Sequence, residues 1–115
     1  MRIDVRGRNM EVTEELREHV AKRFSRTARQ VSELARLEVE LREEKNRANS
    51  NRYVAEANLH LKGATLHAEE ASPEMLHSIS ELAEDIRRQV KRHREKRRAR
   101  AKTRRAIGGL RGREA

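Results

Sequence analysis

Residues 55–69, Ala55-Glu56-Ala57-Asn58-Leu59-His60-Leu61-Lys62-Gly63-Ala64-Thr65-Leu66-His67-Ala68-Glu69, hold the pattern that decides the fold. Apolar and polar residues alternate on both sides of Lys62-Gly63, as in strands with one buried face. Gly63 suits the first central position of a two-residue type II′ turn. That register pairs Leu61 with Leu66 and Leu59 with Ala68, and all four then face one side. Turn chemistry and hydrophobic period agree, which supports the hairpin more than either clue alone. His60 and His67 fall opposite each other on the other face.

The same logic extends outward. Leu37, Val39 and Leu41 alternate with Glu38, Glu40 and Arg42, a strand separated from the hairpin by the polar loop 45–52. Ile3 and Val5 alternate with Arg2, Asp4 and Arg6, a strand ended at Gly7. Thr13 is a good N-cap, with Glu14 and Glu15 in the first turn, where the helix dipole favours acids. Leu16, Val20, Phe24, Ala28 and Val31 then recur every three to four residues, predicting a helix over 13–31. Ser72-Pro73-Glu74 opens a second helix with Ser as N-cap and Pro at N1. Met75, Ile79, Leu82, Ile86 and Val90 form its buried stripe. Beyond Val90 the helix is expected to continue as a charged rod to about residue 100 and then fray, because dense like charge opposes it. Gly108, Gly109 and Gly112 mark a flexible tail.

The order β-α-β-β-β-α predicts an α+β two-layer sandwich: a four-stranded mixed sheet with both helices on one face. The first two strands should be parallel through a right-handed crossover, the rest an antiparallel meander. The open face reads Asp4, Glu38, Glu40, Glu56, Asn58, His60, His67 and Glu69, mostly acidic, and is expected to keep RNA away.

Composition narrows the function. The chain has 115 residues, 41% charged and only 2% aromatic, so one domain with a small aliphatic core is expected. With no Cys there is no disulfide frame, thiolate zinc site or Cys nucleophile. No apolar run suggests a membrane span or a secretory signal, so a cytoplasmic protein with no membrane partner is expected. Residues 87–115 carry 14 Lys/Arg against 2 Asp/Glu, a net +12 in a chain of net +9. A mildly acidic body with a basic rod points to a polyanion, and RNA is the natural choice. The candidate contacts are Lys22, Arg26 and Arg29 on the first helix and Lys45 and Arg47 in the loop. The second helix adds Arg88, Lys91, Arg92, Arg94 and Lys96. Such contacts go to phosphates, so they are salt-sensitive and carry little sequence information. Tyr53 and Phe24 are the only aromatics, which rules out base stacking on the sheet as in an RRM.

Chemistry is sparse elsewhere. His60 and His67, with Glu56 and Glu69 near, are placed to share a metal, but a solvated cross-strand pair is the preferred reading. His93 continues the apolar stripe after Val90, which suits a structural or RNA-facing role. No Gly-rich phosphate loop, HExxH or nucleophile elbow is present. The expectation is no enzyme, no cofactor, no metal and no small-molecule substrate.

Several passages resemble the ribosome hibernation promoting factor family, which includes the ribosome-associated inhibitor A proteins. Residues 7–20, from Gly7-Arg8-Asn9-Met10 to Glu18-His19-Val20, resemble its strand-1 to helix-1 passage. Glu44-Lys45-Asn46-Arg47 resembles its strand-2 exit. Glu56 to Leu61, Gly63, and Leu66 to Glu69 resemble its hairpin. Met75, Ile79 and Arg88-Gln89-Val90-Lys91-Arg92-His93-Arg94-Glu95-Lys96 resemble its second helix. The likeness covers residues 1–97, leaving 98–115 as a basic, flexible tail. It implies a domain that binds the small ribosomal subunit (16S rRNA) between head and body, over the mRNA path and the A and P tRNA sites. It would inhibit translation and protect idle ribosomes in stationary phase or stress. Arg88, Lys91, Arg92, Arg94 and Lys96, with Lys22 and Arg26, match the family's basic surface. The family's Asp-Met-Tyr-x-x-Ile-Asp run reads Glu74-Met75-Leu76-His77-Ser78-Ile79-Ser80 here, and Asp85 stands where a Lys is common. The long form's C-terminal dimerisation domain is not in this sequence, so a monomer when free is expected.

A stand-alone double-stranded-RNA binder is the alternative, since α-β-β-β-α is embedded here. Those domains put a Lys cluster at the start of their second helix. This helix starts with an acid and is basic only at its far end. A third class, a module whose sheet binds protein, has no residue pattern that specifies a partner.

Overall fold

The computed structural model describes residues 1–45 and 50–114, the last eight of them as backbone only. The elements are β1 (Arg2–Arg8), α1 (Glu14–Arg23), α2 (Ser25–Gln30), β2 (Arg36–Glu43), β3 (Tyr53–Leu61), β4 (Ala64–Ser72) and α3 (Met75–Glu114). The sheet order is β1-β2-β3-β4. β1 runs parallel to β2, and the other two pairs are antiparallel. This is the α+β architecture predicted above, with three helices in place of two.

Alternation builds the sheet. Leu37, Val39, Leu41, Ala55, Ala57 and Leu59 point inward and meet Val20, Phe24, Ile79, Leu82, Ile86 and Val90 in one buried cluster. Each large side chain sealed in this way contributes about 1.5–3 kcal/mol relative to exposure. Helices pack only on this face, and α1 and α2 also lie against α3.

Three predictions shift on inspection. The first helix is interrupted at Phe24, whose φ of −91° and ψ of 5° separate α1 from α2. Phe24 is wholly buried. The hydrophobic period passes through this break unchanged, so periodicity alone reads a single helix.

The hairpin is shifted by two residues. Leu59 pairs with Leu66, Ala57 with Ala68 and Leu61 with Ala64. Gly63 takes φ +77° at the second central position of the turn, the place that favours glycine in a type II turn. A turn centred on Gly63-Ala64 would leave Lys62 and Thr65 as the closing pair. In the observed one Leu61 and Ala64 close the turn, with positive φ again on glycine. An even shift preserves the faces. His60 therefore lies opposite Thr65, and His67 opposite Asn58.

α3 begins at Met75, not at Pro73. The Glu74 carbonyl accepts from Ser78 N at 3.0 Å, the first helical bond. Ser72, the last residue of β4, accepts from Glu74 N at 3.2 Å through its hydroxyl. Ser78 ties this start to the sheet: its buried hydroxyl donates to the Tyr53 carbonyl at 2.7 Å and meets Ser72 Oγ at 2.7 Å. At the other end α3 does not stop near residue 100 but continues to Glu114. Residues 91–106 are almost all Ala, Arg, Lys and Glu, the strongest helix formers, with no Pro, and their extended side chains keep like charges in solvent. The molecule consequently measures 66 × 29 × 18 Å.

Gly7 sits where β1 turns back toward Met10. A Cβ there would lie 2.2 Å from the Met10 carbonyl oxygen, closer than real atoms approach. Thr13 caps α1 as predicted, its Oγ1 accepting from Leu16 N at 3.3 Å.

Candidate RNA interface

Residues Val20, Phe24, Ile79, Leu82, Ile86 and Val90 fix how the helices sit on the sheet, and so where their outer faces point. On α3, Arg88, Lys91 and Arg92 are three to four residues apart on the side opposite Ile86 and Val90. All three are exposed, as are Arg94 and Lys96. Arg88, Lys91, Arg92 and Glu95 line a shallow concavity of about 450 Å³.

α2 brings a second group to the same surface. Lys22, Arg26 and Arg29 are exposed on α1 and α2, beside α3. Glu84 reports their proximity. Its carboxyl is held below the usual range first by hydrogen bonding to Arg87, then through space by Arg87, Arg88 and Arg26. Arg87 Nη2 donates to Glu84 at 3.0 Å. Glu84 thus feels cations from both helices.

Lys45 lies at the other end of β2 from Arg94. It is exposed where β2 ends, beside the loop closed by Glu44 N donating to the Arg52 carbonyl at 2.7 Å. β2 separates it from the end of the sheet where Arg36 and His60 lie beside Val90 and Arg94. At about 3.3 Å per residue, that strand spans more than 20 Å. Arg47 lies outside the described residues.

The open sheet face is charge-balanced, not acidic. Arg2 meets Asp4 at 3.6 Å, Arg6 meets Glu40 at 3.2 Å and Arg36 meets Glu38 at 3.6 Å. Arg42 is a hub: its guanidinium lies 2.8 Å from Glu44, 3.1 Å from Glu69, 3.6 Å from Glu56 and 3.7 Å from Glu40. Burial opposes its charge, but Glu44, Glu69 and Glu56 raise its pKa above the ordinary value. His60 Nε2 bonds Glu38, and that hydrogen bond holds the Glu38 carboxyl below its usual range. The acidic residues stand out in the sequence; the arginines that neutralise them occupy the same alternating positions and were undervalued.

Glu56, His67 and Glu69 present ligand atoms within 4.8 Å of one another. Arg42 already supplies positive charge to both carboxylates, and His67 Nδ1 is 2.8 Å from Asn58 Oδ1. This favours a salt-bridged surface cluster over a metal centre.

On the helix side, Glu70 faces Asp85. Burial raises the Glu70 pKa first, with Asp85 adding charge repulsion and a hydrogen bond, Glu81 further repulsion, and Arg88 opposing. Gln89 Nε2 donates to the His67 carbonyl at 2.7 Å and to Asp85 Oδ1 at 3.2 Å, fastening α3 to β4.

One feature has no clear signal in the sequence. Val31, Ala35, Leu61, Val90 and His93 line a cavity of about 610 Å³ at the end of the sheet. Arg36, Lys62, Arg94 and Arg97 also line it. His93 Nε2 is buried with no hydrogen-bond partner among the described residues. An unmet buried polar atom costs about 1–3 kcal/mol.

The fold is a two-layer α+β domain with exposed cations on its helix side. The sequence matches the family described as Sigma 54 modulation protein / S30EA ribosomal protein over residues 3–98, and the chain belongs to that ribosome-associated family. The crystal structure of the Thermus thermophilus Protein Y N-terminal domain is similar, with TM-score 0.70 and 26% identity over 81% of this chain and 99% of that one. A ribosomal subunit interface protein from Coxiella burnetii shares the fold, with TM-score 0.68 and 20% identity over 83% of this chain and 99% of that one. Comparison with curated proteins finds no match. The family is not a known enzyme class. No helix among the described residues is long and apolar enough to cross a membrane.

Proposed function

We propose that this chain is a hibernation factor that binds the small ribosomal subunit through 16S rRNA, between head and body. There it covers the mRNA path and the A and P tRNA sites, inhibits translation and protects idle ribosomes. The observation that carries this reading is the set of exposed cations Arg88, Lys91 and Arg92 on the outer face of the packed α3, with α1 and α2, which expose Lys22, Arg26 and Arg29, lying against the same helix. Membership of a ribosomal protein family supplies the partner.

The mechanism is occlusion. The packed core holds Arg26, Arg88, Lys91 and Arg92 at fixed spacing, so phosphate contacts form in one geometry with little ordering cost. The domain's bulk then excludes mRNA and tRNA from the space it fills. No covalent step is needed. Residues 1–97 dock, and the basic continuation of α3 from residue 98 adds charge that attracts RNA. The free protein is a monomer of the cytoplasm and needs no cofactor or small-molecule substrate.

Sedimentation with separated ribosomal subunits over a series of salt concentrations tests the reading. Expected are binding to the small subunit, a steep loss with salt and release by mRNA with tRNA. Equal affinity for any RNA duplex would sink it and favour the stand-alone RNA binder.

A further inference from the structure

The core-facing stripe of α3 outlasts the sheet. Ile86 and Val90 are sealed in the core, but His93 and Arg97, next on the same side, line the open cavity beyond it. The β3–β4 hairpin and the segment between α2 and β2 supply the opposite walls.

We propose that this cavity takes one unstacked nucleotide of a single-stranded RNA. Its base packs against Val31, Leu61 and Val90 and bonds His93, while its neighbouring phosphates meet Arg36, Lys62, Arg94 and Arg97. The inference rests on the RNA-binding reading above and adds a base-binding pocket to its phosphate surface.

Four observations support it. The volume, about 610 Å³, falls within the roughly 300–1,000 Å³ of small-ligand pockets, which suits one base and not a helix or duplex. The floor is aliphatic and the rim cationic, and none of the lining residues is a carboxylate. Among the described residues, Arg36 is the one rim cation that meets an acid, Glu38 at 3.6 Å with both groups well exposed. His93 lines the wall, and its Nε2, sealed from solvent and without a partner among the described residues, gains one when the ring turns toward a base edge, which offers both donors and acceptors. Guanidinium planes can also stack on the base. An acidic peptide matches the rim, but its carboxylates would leave the aliphatic floor uncovered.

The test uses the full chain with ¹⁵N-labelled histidine, titrated with hexa-adenylate, with the same ribose-phosphate chain lacking all bases, and with hexaglutamate. Expected are a saturable shift of the His93 imidazole resonances with hexa-adenylate alone, and affinity about tenfold weaker for the baseless chain. His93→Leu keeps the side-chain bulk and should bring hexa-adenylate down to the baseless level. Arg88→Gln/Lys91→Gln/Arg92→Gln should weaken both chains equally and leave the His93 shift at saturation. Unmoved His93 resonances, equal affinity for the two RNA chains, or a matching shift with hexaglutamate would overturn the pocket. Retained small-subunit binding alongside such a result would sink only the pocket; loss of all RNA binding would sink the proposed function as well.

Discussion

Replacing Arg88, Lys91 and Arg92 together by Gln removes three exposed cations from the outer face of α3 without touching its packed side. Among the described residues none of the three makes a salt bridge, whereas Arg87 beside them is tied to Glu84 at 3.0 Å. Gln is as good a helix former as Arg or Lys, so the helix should persist. Surface changes of this kind usually stay within about 0.5 kcal/mol each, and the melting temperature should move by only a few degrees. Binding should respond very differently. Each phosphate contact contributes about 0.9 to the slope of log affinity against log salt. At about 0.15 M salt that release term is worth roughly fivefold per contact, so three contacts amount to about a hundredfold. The assay is small-subunit binding by fluorescence anisotropy at four or more salt concentrations. The predicted result is a slope shallower by 2–3, on the order of one per cation, and affinity lower by about two orders of magnitude. An unchanged slope, with the thermal transition intact, would refute the placement of RNA on this face.

Other perturbations probe the frame. Gly7→Ala drives a Cβ against the Met10 carbonyl, 2.2 Å away, and should cost about 2 kcal/mol in a urea titration. Ser78→Ala strands the Tyr53 carbonyl that its hydroxyl reaches at 2.7 Å, a loss of about 1–2 kcal/mol in the same titration. Arg42→Met leaves Glu40, Glu56 and Glu69 without their shared cation and should lower stability by about 2 kcal/mol, partly recovered by added salt. Glu70→Gln reads out as a pH dependence. Its folded-state pKa is raised by burial and by Asp85, so the folded protein holds this proton more tightly than the unfolded chain, and stability falls as pH rises through the folded value. Glu70→Gln should therefore raise the melting temperature at pH 7 and change it little below about pH 4, where the native carboxyl is protonated in both states. A rise of equal size at both pH values would show that charge is not the cause.

The sheet was legible because alternation has a period that any register slip would violate. Leu37, Val39 and Leu41 against Ala57 and Leu59 left little choice about which face is buried. The hairpin register was less constrained, since a two-residue shift keeps Leu59, Leu61, Leu66 and Ala68 on the same side. Both turns place positive φ on Gly63, and the pairing of Leu61 with Ala64 is what separates them. Phe24 hid the break between α1 and α2 by keeping the helical period through it. The cations of the candidate interface could be read from composition, but that α1 and α2 lie beside α3 could not, because that contact arises only through packing. The cavity beside His93 was hidden for a similar reason. Its walls come from three segments far apart in sequence, and each reads alone as an ordinary solvated stretch.

The central claim concerns which side of the domain meets the small subunit. The chain has no cysteine, so a single one can carry an iron chelate that cuts nearby RNA. Arg26→Cys and Lys91→Cys place it on the helix surface, and Asp4→Cys on the open sheet face. The predicted result is cleavage of 16S rRNA in the channel between head and body from positions 26 and 91, suppressed by bound tRNA, with far weaker cutting from position 4. Stronger cutting from position 4, or fragments spread evenly over the subunit from all three positions, would contradict it.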